Sequence, residues 1–146
     1  DIQVSDISDS MIDETKLRIK NAGLSTRGIK YKVSDLEKLT GTFDFVICLD
    51  VFIHYPQSVA EEMVKHLCDL STSRLIVSFA PYTPLLAILK SIGKLFPGPS
   101  KTTRAYTLKE DGIISAAKEK GFVVVQKKLN QAPFYFSKLI EFQKIK

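Results

Sequence analysis

Phe43-Asp44-Phe45-Val46-Ile47-Cys48-Leu49-Asp50-Val51-Phe52-Ile53-His54-Tyr55-Pro56 is the stretch on which the reading of this chain turns. Phe45, Val46 and Ile47 form a continuous apolar run rich in β-formers, which predicts a strand covered on both faces, as in a parallel sheet. The chain then delivers Asp50 and His54 beyond the carboxyl end of that strand, and in open α/β sheets this edge is where ligands bind. Plainer roles stay open for both residues: Asp50 as the cap of the next helix, and His54 as a satisfied, half-buried histidine.

Working outward, the 146 residues are 45% apolar, enough to bury one core, and predict a single domain over 1–146. That content excludes disordered and fibrous classes. No run approaches the roughly 18 apolar residues that span a bilayer, and the first residues do not resemble a signal or transit peptide. The chain begins at Asp1 rather than Met, so an upstream segment carrying any targeting information is expected. Cys48 in the apolar run and Cys68 on a predicted helix lack metal-ligand spacing and read as buried thiols, in keeping with a reducing compartment. The formal charge of +5 is spread along helices and between strands rather than clustered with stacking aromatics. This favours a small anionic ligand or an acidic partner surface and argues against nucleic acid.

In chain order, Ile2 to Ser5 alternates as a strand ending at Asp6. A helix capped by Ser8 or Ser10 follows, acidic at its start, basic at its end and terminated by Gly23, with Met11, Thr15 and Ile19 as its inward stripe. Ile29 to Val33 is a second strand ending at Ser34-Asp35, and Phe43 to Leu49 is the third. Val59, Met63, Leu67 and Leu70 recur at helical spacing over Ser58 to Leu70, with His66 expected at the surface. Arg74 to Ala80 is the fourth strand, stopped by Pro81, before a helix over Pro84 to Ile92 and a long Pro/Gly-punctuated loop over Leu95 to Ser100. Leu108 to Lys120 is helical, Phe122 to Val125 is a fifth strand, and Phe134 to Phe142 a sixth. The short Asn130-Gln131-Ala132-Pro133 connection predicts that the last two strands pair antiparallel. The order β-α-β-β-α-β-α-α-β-β is that of a doubly wound α/β layout. It sets acids at successive strand ends, Asp6, Asp35 and Asp50, a pattern suited to ribose hydroxyls and an adenine amino group. Each acid alone is more often a helix cap, and it is their conjunction that points to a nucleoside.

Several segments together resemble one family. They are Val4-Ser5-Asp6-Ile7-Ser8, Ser34-Asp35-Leu36-Glu37, Cys48-Leu49-Asp50-Val51 with Ile53-His54-Tyr55-Pro56, and Ser78-Phe79-Ala80-Pro81. Leu95 to Lys101 with Thr103-Arg104-Ala105-Tyr106, and Phe134-Tyr135-Phe136-Ser137, complete the set. The resemblance is to magnesium-protoporphyrin IX O-methyltransferase, and the loop from Phe96 to Tyr106 is its most specific part. It implies a Rossmann-like class I methyltransferase fold: a doubly wound, mostly parallel seven-stranded sheet with an antiparallel last strand. The central first strand and its glycine-rich loop would lie upstream of Asp1 and be missing from this chain.

The same resemblance implies S-adenosylmethionine as cofactor, with S-adenosylhomocysteine as product. Asp6 then matches the ribose-binding acid with Ile7 beside the adenine, Asp35 and Leu36 the adenine side, Cys48 and Leu49 residues beneath the cofactor, and His54 a catalytic histidine. Lys101, Arg104 and Tyr106 are candidates for the substrate, magnesium-protoporphyrin IX. Tyr82, Phe96, Phe134 and Tyr135 offer further faces to the macrocycle, at least half of them expected in the core. Magnesium would arrive within the substrate, so no protein metal site is implied. The resemblance places the protein in the chloroplast, in the stroma or peripheral to plastid membranes, with a photosynthetic-complex partner as one way to fill the gap of the missing strand. Two other functions remain open: another small-molecule O-methyltransferase, and a non-catalytic subunit of a plastid assembly.

Overall fold

Period-two alternation and apolar stripes at helical spacing resolve into strands and helices close to those expected. A computed structural model describes residues 1–82, 106–132 and 135–145. The helix expected over Pro84 to Ile92, the loop over Leu95 to Ser100, and Lys101, Arg104, Phe96 and Phe134 lie outside the described residues. The chain divides into two compact units, Asp1–Gly41 and Thr42–Lys146.

In the first unit, strand β1 (Ile2–Asp6) pairs parallel with β2 (Ile29–Val33), and helix α1 (Asp9–Asn21) connects them. Ile12 is the side chain that α1 buries, while Met11 is half exposed; of the stripe expected at Met11, Thr15 and Ile19, Thr15 and Ile19 are half buried and Met11 gives way to its neighbour Ile12. Thr15 donates its hydroxyl to the Met11 carbonyl at 2.8 Å, one turn back along the same helix, which satisfies that hydroxyl locally.

The second unit holds a four-stranded sheet ordered β3-β4-β6-β5, built from β3 (Phe43–Cys48), β4 (Ser71–Phe79), β5 (Phe122–Ala132) and β6 (Tyr135–Lys144). β3 pairs parallel with β4, whereas β6 runs antiparallel to both β4 and β5, as the short β5–β6 connection predicted. β5 continues to Ala132, seven residues beyond its expected end at Val125, because the hairpin keeps its ladder bonds out to Ala132 opposite Tyr135. β4 likewise starts at Ser71, directly after the helix, with the Ser71 hydroxyl donating to the Arg74 carbonyl at 2.8 Å.

Helices α2 (Gln57–Leu70) and α3 (Glu110–Glu119) pack with this sheet. The core is Ala60, Met63, Val64, Leu67 and Cys68 from α2, Ile113, Ala116 and Ala117 from α3, and Leu75, Val77, Phe79, Ile140 and Phe142 from the strands. Val59 is only half buried; Ala60, Val64 and Cys68 carry the stripe beside Met63 and Leu67. His66 is also half buried rather than at the surface, and its Nε2 is sealed from solvent without a partner among the described residues. Nor is β3 covered on both faces: Phe45 and Ile47 are each 62% exposed. Phe45 and Ile47, two residues apart, share one face of β3 and that face stays open, whereas Cys48 on the opposite face is buried.

Glu110, in the first turn of α3, ties that helix to the hairpin. It pairs with Lys127 of β5 at 2.5 Å and with Lys138 of β6. Burial pushes its carboxyl up, but the two ammonium groups outweigh that and hold it below its ordinary 4.5. The native state therefore binds fewer protons at this site than the unfolded chain does, so the contribution is present above the ordinary value and is lost as pH falls through the folded one. We predict that Glu110→Gln lowers the urea midpoint near neutral pH and flattens the acid limb of stability below about pH 4.5. An unchanged acid limb in urea titrations would show that these ion pairs do not contribute to it.

Candidate functional site at the strand ends

Parallel pairing sets the carboxyl ends of β1 and β2 side by side. Asp6 is in register with Val33, and the Ser34 N–H donates to the Asp6 carbonyl at 2.9 Å, which brings Asp6 next to Ser34-Asp35. The half-buried Asp6 accepts the Ser8 N–H on Oδ1 at 2.8 Å and so secures the entry to α1. It is thus a helix-entry acid and a candidate ligand-binding acid at once. Ile7 beside it is 67% exposed. Asp35 heads the short 3-10 turn Leu36–Lys38 and pairs with Lys38 at 2.6 Å, an ion pair exposed enough to exchange readily for a ligand. Two carboxylate acceptors and an exposed apolar side chain thus sit at neighbouring strand ends, a donor-seeking arrangement that fits the hydroxyls and ring of a nucleoside.

In the second unit β3 ends on Cys48, which is buried, and Leu49, which is 52% exposed. Asp50 follows with φ 58°, in the left-handed region that Asp and Asn tolerate better than most residues. Its N–H donates to the Ser78 hydroxyl at 2.9 Å, and that hydroxyl donates back to Asp50 Oδ1 at 2.9 Å. Ser137 of β6 adds a third bond to Oδ1 at 3.3 Å. The carboxylate is therefore engaged by sheet hydroxyls and does not serve as the helix cap that the sequence left open. The chain turns here into a 3-10 turn, Phe52–His54, anchored by the fully buried Phe52 and closed by Tyr55 N–H to the Phe52 carbonyl at 3.1 Å. His54 is exposed on that turn, not a satisfied core histidine.

Tyr106, distant in sequence, arrives beside it: its N–H donates to the Ile53 carbonyl at 2.7 Å. Leu108 N–H donates to Ala80 O at 2.9 Å and Tyr82 N–H to Leu108 O at 2.7 Å, so residues 106–108 run along the end of β4. Tyr82 and Tyr106 are 48% and 37% exposed, which leaves both rings available to a flat ligand. Of the predicted substrate contacts, Lys101 and Arg104 lie outside the described residues.

Sequence reasoning missed the parts that brace this edge. Ser78 and Ser137 stood only as motif letters, and no periodicity marks a hydroxyl that will meet an acid 28 or 87 residues away. Gln57, the first residue of α2, clamps the peptide of Lys109: its Oε1 accepts the Lys109 N–H at 2.8 Å and its Nε2 donates to the Lys109 carbonyl at 3.2 Å. Nε2 also donates to Glu61 at 2.7 Å, and this pair lies so close to Gly112 that a Cβ there would sit 2.0 Å from Glu61 Oε1.

A family model described as the magnesium-protoporphyrin IX methyltransferase C-terminus matches residues 48–144. The chain belongs to the magnesium-protoporphyrin IX methyltransferase family. A general methyltransferase-domain model matches residues 1–72. Among named relatives, the chain is 47% identical to the chloroplastic magnesium protoporphyrin IX methyltransferase of Arabidopsis thaliana, over 96% of this chain and 45% of the relative. It is 44% identical to the magnesium-protoporphyrin O-methyltransferase of Synechocystis, over 94% of this chain and 60% of that one. The chain thus spans about half the length of these relatives. The crystal structure of the Synechocystis magnesium protoporphyrin IX methyltransferase with bound SAH superposes with a TM-score of 0.87 at 39% identity, covering 98% of this chain and 64% of that one. Within the magnesium-protoporphyrin IX methyltransferase family, the α/β class I methyltransferase fold with a mixed sheet is therefore the fold of this chain, as expected from the sequence.

Burial raises the Cys48 thiol to about 12, with the Asp50 charge adding to it, and burial likewise raises Cys68 to about 12. Neither forms the thiolate near neutral pH. Peptide mapping after iodoacetamide treatment at about pH 8 should find both unmodified in the folded protein and modified in urea. Rapid native alkylation of Cys48 would mean that this strand end opens.

Proposed function

We propose that this chain forms the C-terminal portion of one methyltransferase domain, and that the protein transfers a methyl group from S-adenosylmethionine to a propionate carboxylate of magnesium-protoporphyrin IX, a step of chlorophyll biosynthesis. The observation that carries the reading is the family match over 48–144, which takes in His54, Tyr106 and the segment with Lys101 and Arg104. The strong likeness to a relative crystallised with SAH supports the cofactor. The Arabidopsis relative is named chloroplastic, which supports a plastid location; peripheral membrane attachment or a photosynthetic-complex partner is the finer form of that reading. β1 and β3, like β2 and β5, each have one edge without a strand partner among the described residues, which leaves room for the further strand that this reading requires.

In this reading Asp6 and Asp35 accept the ribose hydroxyls and the adenine amino group, while Ile7 and Leu36 supply apolar contact to the ring. Leu49 presents its side chain beneath the cofactor; Cys48 backs it from within the core. When bound, S-adenosylmethionine supplies an electrophilic methyl group. The acceptor, a propionate with a pKa of about 4.3 by analogy with Glu, is already ionised at neutral pH, so no strong base is required. His54 then orients the carboxylate by a hydrogen bond and takes up any residual proton. Lys101 and Arg104 hold the propionates, Arg104 in two-point fashion, and Tyr82 and Tyr106 stack on the macrocycle. The rate gain comes mainly from alignment and exclusion of water.

Purified full-length protein incubated with methyl-labelled S-adenosylmethionine should label magnesium-protoporphyrin IX. Intact cofactor binding without label in the porphyrin would sink the reading in favour of another acceptor, and absent cofactor binding would favour a non-catalytic subunit. His54→Ala should reduce turnover by about a hundredfold with little change in cofactor affinity; equal loss of cofactor binding would make its role structural. Arg104→Ala should raise KM for the porphyrin by roughly tenfold or more while leaving kcat within a few-fold, since it contributes mostly uniform binding.

A further inference from the structure

Among the described residues, Ser78 and Ser137 bond Asp50 from two strands that meet the acid far from its own place in the sequence. Ser78 pairs with Leu139 across the antiparallel β4–β6 ladder, and Ser137 precedes Leu139 by two residues, so both hydroxyls lie on one face of the sheet. Both serines are buried, 4% and 7% exposed, and both aim at Asp50 Oδ1. Such hydroxyls require partners, and Asp50 satisfies both. In return Ser78 takes the Asp50 N–H, fixing main chain and side chain of the same residue together. Asp50 sits at φ 58°, a conformation that needs holding, and four residues later the chain presents His54.

We propose that Ser78 and Ser137 are positioning residues: through the main chain and carboxylate of Asp50 they set the direction in which the turn carrying His54 leaves the sheet. They touch no reactant. The path is short and each link is defined: Ser78 and Ser137 to Asp50, Asp50 to the turn Phe52–His54, and Ile53 O to Tyr106 N–H. The same clamp therefore also fixes the main chain of Tyr106. The inference rests on the role given above to His54, and its test separates the two.

In full-length protein, Ser78→Ala should speed amide exchange at Tyr55 and Tyr106, whose hydrogen bonds close the turn, by roughly five- to tenfold, while amides in the middle of α2 keep wild-type protection. Ser137→Ala should do the same to a smaller extent, in keeping with its longer bond, and it serves if Ser78→Ala fails to fold. Asp50→Asn retains an Oδ1 acceptor and a tolerated left-handed φ, so it should keep near-wild-type exchange. In the methyl-transfer assay Ser78→Ala should lower kcat between about tenfold and a hundredfold at unchanged cofactor affinity. Combined with His54→Ala, it should cost no more than His54→Ala alone, because a misdirected histidine and an absent one lose the same contribution. Unchanged exchange at Tyr55 and Tyr106 in Ser78→Ala, or losses that multiply in the double variant, would overturn the proposal. If His54→Ala leaves turnover intact, the catalytic role of His54 fails by itself, and the exchange measurements decide the positioning claim.

Discussion

Strand β4 must satisfy its backbone on both sides while its side chains Leu75, Val77 and Phe79 are sealed from water, and the second unit is arranged around that requirement. β3 answers it with a parallel ladder and β6 with an antiparallel one. A parallel neighbour demands a crossover, which is α2; an antiparallel one demands none, which is why β6 reaches β4 through the hairpin with β5. Because β3 and β4 run the same way, their carboxyl ends open on the same edge. There the strand is interrupted by Asp50 and His54 on one side and Ala80 to Tyr82 on the other, with residues 106–108 hydrogen-bonded to both.

The helices depend on contacts of a different kind. α3 is set by polar clamps at its start, Gln57 on the Lys109 peptide and Lys127 with Lys138 on Glu110, and by the apolar Ile113, Ala116 and Ala117 along its length. A Cβ at Gly112 would fall in the space that the Gln57–Glu61 pair occupies, so a larger residue there would require those side chains to move. Apolar packing tolerates rotation of a helix; a two-point bond to a peptide group does not. Since Lys109 follows closely on Tyr106 and Leu108, the clamp that orients α3 also fixes where the chain re-enters the strand ends.

Local pattern carried most of the architecture. The alternation of Ile29 to Val33, the spacing of Met63 and Leu67, the antiparallel pairing of the last two strands and the acids at the ends of β1 and β2 were all legible, because each is a short-range property. What was illegible follows from pairing partners. The apolar run Phe45 to Ile47 reads as a strand covered on both faces, but Phe45 and Ile47 share a face that stays open, and which face of a strand gains a cover is decided by elements distant in sequence, which no window of residues reports. In α1 the inward residue was read as Met11 rather than Ile12, because the two are adjacent and both apolar and only the packing surface chooses between them. At the site, Asp6, Asp35 and His54 were visible as polar residues at strand ends. Ser78 and Ser137 were not, since a buried serine in a strand is unremarkable until the carboxylate it serves is seen.

Asp50 gathers these themes. A glycine at φ 58° would relieve the backbone at once, and by conformational reasoning alone it is the residue expected there. It would also leave two buried hydroxyls without their acceptor and free the turn to leave the sheet in several directions. Aspartate accepts some backbone strain, on the order of 1 kcal/mol, in exchange for the bonds to Ser78 and Ser137 that remove that freedom. Such a trade suits a site whose proposed nucleophile is already anionic. When no strong base has to be made, the protein need not shift a titration or bury a charge; it has to hold an exposed histidine in one place. That demand falls on the turn, and therefore on the serines behind it.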